Sequence, residues 1–90
     1  MMITTKGRNA LKVMIDLAQH EGEGFISLND IAERQKESVK YLETSAAQLS
    51  AAGFVISARG KSGGYKLARP AEDYSVAEIL VKGEGSLAPV

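Results

Sequence analysis

Apolar residues recur at steps of three and four near the start of the chain, which is the spacing of one face of an α-helix. Thr4 and Thr5 can cap this first helix, and the pattern predicts that it extends to about Ala18. Its apolar face comprises Ala10, Leu11, Met14, Leu17 and Ala18. Two glycines within residues 21–24 end the pattern, so a turn is expected there.

Two further helices are predicted, each introduced by a serine. Ser27 precedes the first of them, and Ser27-x-x-Asp30 approximates a capping box with Asp in place of the preferred Glu. Ser38 begins the next helix, which is expected to end near Ala52. The polar residues 34–37 break the apolar pattern, and about three residues are expected to join the two helices. Their inward positions keep the helical period: Leu28, Ile31, Ala32, Val39, Leu42, Ala46 and Leu49. Two helices joined by so short a segment are typical of a helix-turn-helix.

The stretch GFVISARGKSGGYKL, residues 53–67, predicts the end of the third helix followed by a β-hairpin. Gly53 suits the position just after a helix. β-forming residues occupy 54–56, and an extended pattern resumes at 65–67. Three glycines within residues 59–64 allow positive φ and close backbone contacts at the tip. A hairpin in this position is the wing of a winged helix-turn-helix.

A fourth, short helix completes the predicted fold. Ser75 can cap it and Gly83 ends it. Its inward positions are Val76, Ile79 and Leu80. We therefore expect an α+β, mostly helical winged helix-turn-helix domain over residues 1–83, with three helices, a two-stranded wing and one further short helix. Residues 84–90 contain glycine and proline and are predicted to be a linker or tail.

Charge is distributed unevenly along the chain, although its formal net charge is zero. The chain therefore lacks the bulk basicity of a general nucleic-acid binder. From residue 54 to residue 69, however, the hairpin carries four cations and no anion: Arg59, Lys61, Lys66 and Arg69. Such a hairpin suits a phosphate backbone, and the alternative is an ordinary solvated hairpin with a charged tip.

Several function classes find little support in the composition. The chain has no cysteine, which excludes disulfides and thiolate metal sites within it, and the single histidine, His20, is expected at the surface of a helix end. No carboxylate pair or nucleophile constellation stands out, so we expect no enzymatic activity, and GKSGG lacks the spacing of a P-loop. No apolar run is long enough to span a membrane and no secretory signal is evident, which predicts a cytoplasmic protein without a membrane partner.

A DNA-binding interpretation gives distinct roles to the polar residues of the third helix. In a helix-turn-helix, the first turns of the second helix face the major groove. The polar residues at this position are Ser38, Lys40, Tyr41, Glu43 and Thr44. Lys40 can donate to a guanine edge and Glu43 can accept from a cytosine amino group, although Glu43 could also be an ordinary solvated residue.

Contacts to the minor groove and to phosphates are predicted elsewhere. Arg59 at the hairpin tip suits a narrow minor groove, while Lys61 and the backbone of Gly63 and Gly64 are expected to hold phosphates. The start of the first helix offers a further group of phosphate contacts: Thr4, Thr5, Lys6 and Arg8.

Several motifs resemble a bacterial repressor family that includes IscR, CymR and NsrR. They are TTKGR, DIAERQ, SxxYLE, RGKSGGYKLA and VAEIL, and the similarity covers nearly all ninety residues. The resemblance implies a winged helix-turn-helix followed by a long helix that pairs two subunits, with some members holding an iron–sulfur cluster through cysteines. It places Tyr41, Glu43 and Thr44 on the recognition helix, and residues 59–65, including Ser62 and Tyr65, on the wing.

The chain also departs from that family pattern. Without cysteines it is expected to hold no cofactor, because a cluster would need residues beyond Val90. The dimerisation helix is expected to be absent as well, so homodimers should be weak or absent here and form in a longer chain. Asn9 replaces a usual aromatic residue. Glu37 and Ser45 replace apolar residues and are expected to weaken the core, since an unpaired buried carboxylate is unfavourable.

The sequence thus predicts a regulator of transcription, acting as a repressor, that binds specific double-stranded DNA through residues 38–52 and the wing. The alternative is a winged-helix module that binds protein without specific DNA binding. The residues expected to contact DNA are Thr4, Thr5, Lys6, Arg8, Ser38, Lys40, Tyr41, Glu43, Thr44, Arg59, Lys61, Ser62, Gly63, Gly64 and Tyr65.

Overall fold

Four α-helices and one two-stranded sheet follow the order helix, helix, helix, hairpin, helix in a computed structural model that describes residues 4–61 and 63–83. The helices are α1 (Thr5–Gln19), α2 (Leu28–Gln35), α3 (Val39–Ala51) and α4 (Val76–Gly83), and the strands are β1 (Val55–Ala58) and β2 (Gly64–Leu67). A short 3₁₀ turn, Ala71–Asp73, lies in the connection before α4. The predicted winged helix-turn-helix is confirmed.

The helices begin where the sequence places their capping residues. The side chains of Thr4, Ser27 and Ser38 accept a hydrogen bond from a first-turn N–H of α1, α2 and α3. The reciprocal capping box occurs at α4, where Glu78 N–H donates to Ser75 Oγ at 3.1 Å and Ser75 N–H donates to Glu78 Oε2 at 3.2 Å. Local side-chain chemistry therefore fixes these boundaries.

The α2 and α3 helices end in the same left-handed turn, one with lysine and one with glycine. Lys36 adopts φ 55°, and the next N–H, that of Glu37, donates to the Ala32 carbonyl at 3.0 Å. At the end of α3, Gly53 adopts φ 79°, and the N–H of Phe54 donates to the carbonyl five residues earlier at 2.9 Å. The predicted C-terminal glycine of α3 is confirmed, and Lys36 provides the turn between the two helices.

The core lies where α1 packs against the other three helices and the base of the wing. Its members are apolar residues from every helix and from β1: Ala10, Val13, Met14, Leu17, Ile31, Ala32, Leu42, Leu49, Phe54, Val55 and Ile79. Burial of these side chains is the main stabilising contribution in so small a domain. Within the described residues, no helix has the length and apolarity needed to cross a membrane.

The wing is an antiparallel hairpin that a third segment extends. Val55 pairs with Leu67 and Ala58 with Gly64, so β1 begins one residue later than predicted, at Val55, and β2 one residue earlier, at Gly64. Ile26 and Tyr65 exchange both backbone hydrogen bonds at 2.8 Å. The connection between α1 and α2 therefore holds the wing at a fixed position.

At the base of the wing, an aromatic pair and an arginine join the hairpin to the segment before α4. The rings of Phe54 and Tyr74 meet edge-on with centroids 5.1 Å apart, and the Arg69 guanidinium lies 4.5 Å from the Tyr74 ring centroid. The Tyr74 hydroxyl donates to the Phe54 carbonyl at 2.7 Å and accepts from the Arg69 N–H at 3.0 Å. Arg69 is thus engaged within the protein.

A buried aspartate joins α1 to α2. Asp16 is fully buried, and its carboxylate accepts two hydrogen bonds from Arg34, at 2.7 and 2.9 Å, and one from Gln35 at 3.2 Å. Burial acts to raise the pKa of Asp16, but the hydrogen bonds from Arg34 and Gln35 and the positive charge of Arg34 outweigh it and lower the pKa. This contact fixes the position of α2 against α1.

The expectation that Glu37 leaves an unpaired carboxylate in the core is wrong. Its side chain is 26% exposed and accepts a hydrogen bond from Lys12 Nζ at 2.6 Å. That hydrogen bond is the main cause of the lowered pKa of Glu37. The ion pair connects α1 to the turn before α3, so Glu37 contributes a surface contact there.

Candidate nucleic-acid interface

One face of α3 carries the polar residues predicted to read DNA. Leu42 and Ser45 point inward and are buried, whereas Tyr41 is 60% exposed. The polar residues at the start of the helix are all exposed: Ser38, Lys40, Tyr41, Glu43 and Thr44. The helical period therefore separates a core face from a solvent face that can enter a major groove.

The N-terminus of α1 lies beside this face. Thr5 and Lys6 on α1 line the same cavity as Tyr41 and Thr44 on α3. Thr4, Thr5, Lys6 and Arg8 are all exposed. The structure therefore brings two predicted phosphate contacts of α1 next to two predicted readout residues of α3, at the positive end of the α1 dipole.

The wing tip contributes a second group of exposed cations. Arg59 and Lys61 are exposed, and Gly60 adopts φ 99° in open space. The Gly63 N–H donates to the Gly60 carbonyl at 3.0 Å, which closes the tip as a tight turn. Ser62, which was also predicted to contact DNA, lies outside the described residues.

Gly63, Gly64 and Tyr65 have structural roles within the wing. A Cβ at Gly63 would overlap the Ala58 carbonyl, and one at Gly64 would overlap the Ile26 carbonyl. Tyr65 packs against the core, and both of its backbone groups bond to Ile26. These contacts within the protein are enough to explain why glycine and tyrosine occupy these three positions. A DNA contact at any of them therefore stays a prediction.

Sequence reasoning did not identify the cavity between α1 and α3. Its volume is about 200 Å³, and its lining is Thr5, Lys6, Asn9, Tyr41, Thr44 and Ser45. Asn9 and Ser45 are 5% and 2% exposed. The sequence does contain one sign of it, because Asn9 in α1 and Ser45 in α3 are polar residues at inward positions. From the sequence alone, however, such residues indicate only that apolar packing is lost.

The whole chain is similar to regulators of transcription. A family model described as "Rrf2: Iron-dependent Transcriptional regulator" matches residues 3–90. Protein rrf2 of Nitratidesulfovibrio vulgaris is 42% identical over 90 residues, which is all of this chain and 60% of that protein. The HTH-type transcriptional regulator IscR of Cereibacter sphaeroides is 46% identical over 82 residues, covering 89% of this chain and 53% of that protein. The chain thus spans little more than half the length of these relatives.

Solved structures show the same fold. CymR, described as the global cysteine regulator of B. subtilis, superposes with a TM-score of 0.89 at 41% identity, covering all of this chain and 70% of that one. IscR of T. potens superposes with a TM-score of 0.85 at 49% identity, covering all of this chain and 66% of that one. The resemblance inferred from the sequence motifs is therefore confirmed.

The residues of this chain do not fit the iron site that the family description implies. The sequence contains no cysteine and only one histidine. Within residues 4–61 and 63–83, no three His, Cys, Asp or Glu side chains come together as metal ligands. Iron–sulfur clusters are held chiefly by thiolates, so no role for iron is assigned to these residues.

Proposed function

This chain belongs to the Rrf2 family of transcriptional regulators, and we propose that it is the part of such a regulator that binds specific double-stranded DNA, with a repressor role. The observation that carries the proposal is the exposed polar face of α3 beside the N-terminus of α1. Chromosomal DNA is the partner, so the bacterial cytoplasm is the proposed location. No catalytic role and no cofactor within these ninety residues are part of the proposal.

On this proposal, α3 enters the major groove and reads base edges. Lys40 donates to a guanine, and Glu43 accepts from a cytosine amino group. Exposed carboxylates are repelled by phosphates, so a glutamate in the middle of this face is better explained by base readout than by affinity. Thr44 lies on the same exposed face and can contact either kind of base.

Phosphates are contacted on both sides of the recognition helix. The N–H groups of the first turn of α1, with Lys6 and Arg8, hold one strand. Lys61 at the wing tip supplies a further phosphate contact, and Arg59 enters the minor groove. In this arrangement the cations lie where the polyanion passes, although the formal net charge of the chain is zero.

We further propose that two such domains act as a pair on DNA. A single domain covers few base pairs, and helix-turn-helix dimers gain affinity by binding two half-sites at fixed spacing. The relatives continue well beyond the length of this chain. The ninety residues alone are therefore expected to bind a half-site, with a dissociation constant nearer the non-specific range of about 10⁻⁴–10⁻⁶ M.

A protein-interaction module is the second candidate, because exposed carboxylates lie on α2 as well as α3. Asp30 and Glu33 are exposed on α2, and Glu43 on α3. Titration of a DNA duplex at several salt concentrations separates the two functions, since phosphate contacts give a log-linear loss of affinity with salt. An absence of salt-dependent binding to any duplex pool would favour the protein partner.

Glu43→Ala is expected to relax base preference at one or two positions of the selected DNA site. Each such position contributes about 1–3 kcal/mol of discrimination in major-groove readout. Non-specific affinity should hold or rise, because an anion leaves the interface. Selection from a random duplex pool measures both effects, with Glu72→Ala, another exposed glutamate outside α3, as the matched control. An unchanged consensus for Glu43→Ala would remove this residue from readout.

Arg59→Ala is expected to weaken binding more at sites flanked by A·T pairs than at sites flanked by G·C pairs. A narrow A-tract minor groove has an enhanced negative potential and attracts an inserted arginine. Fluorescence anisotropy with two duplexes that differ only in the flank measures the difference. Arg59→Lys keeps the charge and serves as the control. Equal losses on both duplexes would reduce Arg59 to a phosphate contact.

A further inference from the structure

Two polar side chains are buried in the interface between α1 and α3, at a point where the neighbouring core is apolar. Asn9 and Ser45 are each more than nine-tenths buried. In the described part of the chain, no hydrogen bond joins either side chain to another residue, and no side-chain polar atom is sealed from solvent without a partner. Both residues line the adjoining cavity, so polar atoms that are not sealed from solvent can bond to a ligand there.

One cation, Lys6, lies on the rim of this cavity, at the start of α1. Thr5 and Lys6 occupy the first turn of α1, where N–H groups lack an acceptor within the helix. The Gly7 N–H is satisfied by Thr4 Oγ1 at 3.0 Å, and the Arg8 N–H by the Thr4 carbonyl at 2.9 Å. Among residues 4–61 and 63–83, no acceptor bonds the N–H groups of Thr5 and Lys6, so they are offered to an anion together with the Lys6 ammonium and the helix dipole.

From this geometry we infer that the cavity binds a small carboxylic acid. Its volume of about 200 Å³ exceeds the roughly 150 Å³ that accommodates benzene in a protein interior. A carboxylate fits the rim formed by Thr5 and Lys6. A short apolar body fits beside the Tyr41 ring, and Asn9 and Ser45 offer hydrogen bonds to a polar substituent.

The position of the cavity gives the acid a regulatory effect. Thr5 and Lys6 are also the proposed phosphate contacts, and Tyr41 and Thr44 face the proposed major groove. A bound carboxylate would neutralise the donors that a DNA phosphate needs, so acid and DNA compete. This competition rests on the proposed function, whereas binding of the acid to the cavity does not.

Benzoate is the probe for binding, and benzamide is its neutral match in shape. Titration of the ninety-residue chain followed by amide NMR should shift Thr5, Lys6, Asn9 and Ser45 together, with a benzoate dissociation constant of about 1 mM. Benzamide should bind at least about tenfold more weakly, because it lacks the charge. Inorganic phosphate tests for a simple anion site, and it should shift Thr5 and Lys6 without Asn9 and Ser45.

Ser45→Leu fills the cavity and should abolish the benzoate shifts, whereas Ala51→Leu, at the exposed end of α3, should leave them unchanged. Lys6→Gln, which cannot affect the core, should reduce benzoate binding to the level of benzamide. Thermal unfolding checks that each variant is folded. The inference is overturned if benzoate moves none of these amides, if phosphate moves the same set, or if the shifts persist in Ser45→Leu.

DNA competition is measured separately with a labelled duplex at constant ionic strength. Benzoate at about 20 mM should weaken DNA binding by the wild-type chain roughly 10- to 20-fold, and should have no effect on Ser45→Leu. If benzoate shifts the amide signals without lowering DNA affinity, the inferred competition with DNA is wrong, whereas the inferred binding of the acid to the cavity stands. A chain that binds no duplex at all would contradict the proposed function, and the NMR titration would still decide the cavity.

Discussion

Asp16→Ala is expected to lower the free energy of unfolding by about 2–3 kcal/mol. Removing one partner of a buried ion pair typically costs about 3–5 kcal/mol. A value at or below the bottom of this range applies because the Arg34 side chain is 37% exposed and can be solvated when Asp16 is removed. The substitution leaves Arg34 and Gln35 without their shared acceptor and opens a space between α1 and α2. In a domain of this size the melting temperature should fall by roughly 10–20 °C.

Glu33→Ala is the matched control, because Glu33 is an exposed carboxylate on α2. Surface substitutions of this kind usually change stability by less than about 0.5 kcal/mol. A second variant, Asp16→Leu combined with Arg34→Met, should recover much of the loss, since apolar replacement of both partners removes the unpaired charge. Equal melting temperatures for Asp16→Ala and Glu33→Ala would show that the network contributes nothing.

Comparison of the wild-type chain with Asp16→Ala at lower pH separates the contribution of charge to stability from the contribution of packing. The pKa of Asp16 is lowered in the folded state, so its ionised form is favoured by folding. That stability is fully present above the ordinary aspartate pKa and is lost as pH falls through the folded value. The difference between the wild-type chain and Asp16→Ala should therefore shrink below about pH 4. A constant difference would assign the whole effect to packing.

The elements of this fold could be predicted because their signals are local. Ser38 caps a helix whose fourth residue is the buried Leu42, and Gly53, which has no side chain, enters a left-handed turn without strain. Each signal lies within a few positions of the boundary it sets. The helical period then separates Leu42 from Glu43, so the polar face of α3 could be assigned from the sequence alone.

Contacts between distant segments could not be predicted in this way. Asp16 and Arg34 are 18 residues apart, and nothing in the period of α1 distinguishes a buried, paired aspartate from a solvated one. Glu37 was expected to be unpaired because it replaces an apolar residue, and its partner, Lys12, lies 25 positions away in the sequence. Such pairings depend on how the helices cross, which is a property of the whole core.

The pairing of Ile26 with Tyr65 is another contact between distant segments that could not be predicted from the sequence. The backbone of Gly64 was predicted to hold a phosphate at the wing, and the sequence offered no reason to place the α1–α2 connection against it. In the fold, Gly64 lies at the close approach of two backbones, with φ 148° and the Ile26 carbonyl where a Cβ would be. The fold therefore requires a residue without a side chain at position 64, and substitution of Gly64 should destabilise the protein more than any other substitution in the wing.

Gly64→Ala is expected to destabilise the protein by about 3–5 kcal/mol. A left-handed or related φ at a non-glycine residue costs about 1–3 kcal/mol, and forcing a methyl group into packed surroundings adds about 1–3 kcal/mol. Here the obstacles are backbone atoms of Ile26 and Ser27, which cannot move as a flexible side chain would. The least disruptive response is separation of the wing from the connection between α1 and α2.

Gly60→Ala isolates the two contributions, because Gly60 also has positive φ, at 99°, but no atom lies within 4 Å of its added Cβ. It should lose only the conformational part, about 1–2 kcal/mol. Amide exchange adds a local measurement, since the N–H groups of Ile26 and Tyr65 both donate across this contact at 2.8 Å. Gly64→Ala should lower their protection at least about 100-fold, which corresponds to about 2.7 kcal/mol of local opening, while Gly60→Ala should leave them protected. Equal destabilisation by the two variants, with both amides still protected, would mean that the backbone contact relaxes freely and that the wing is held by β1 and the Phe54–Tyr74 pair alone.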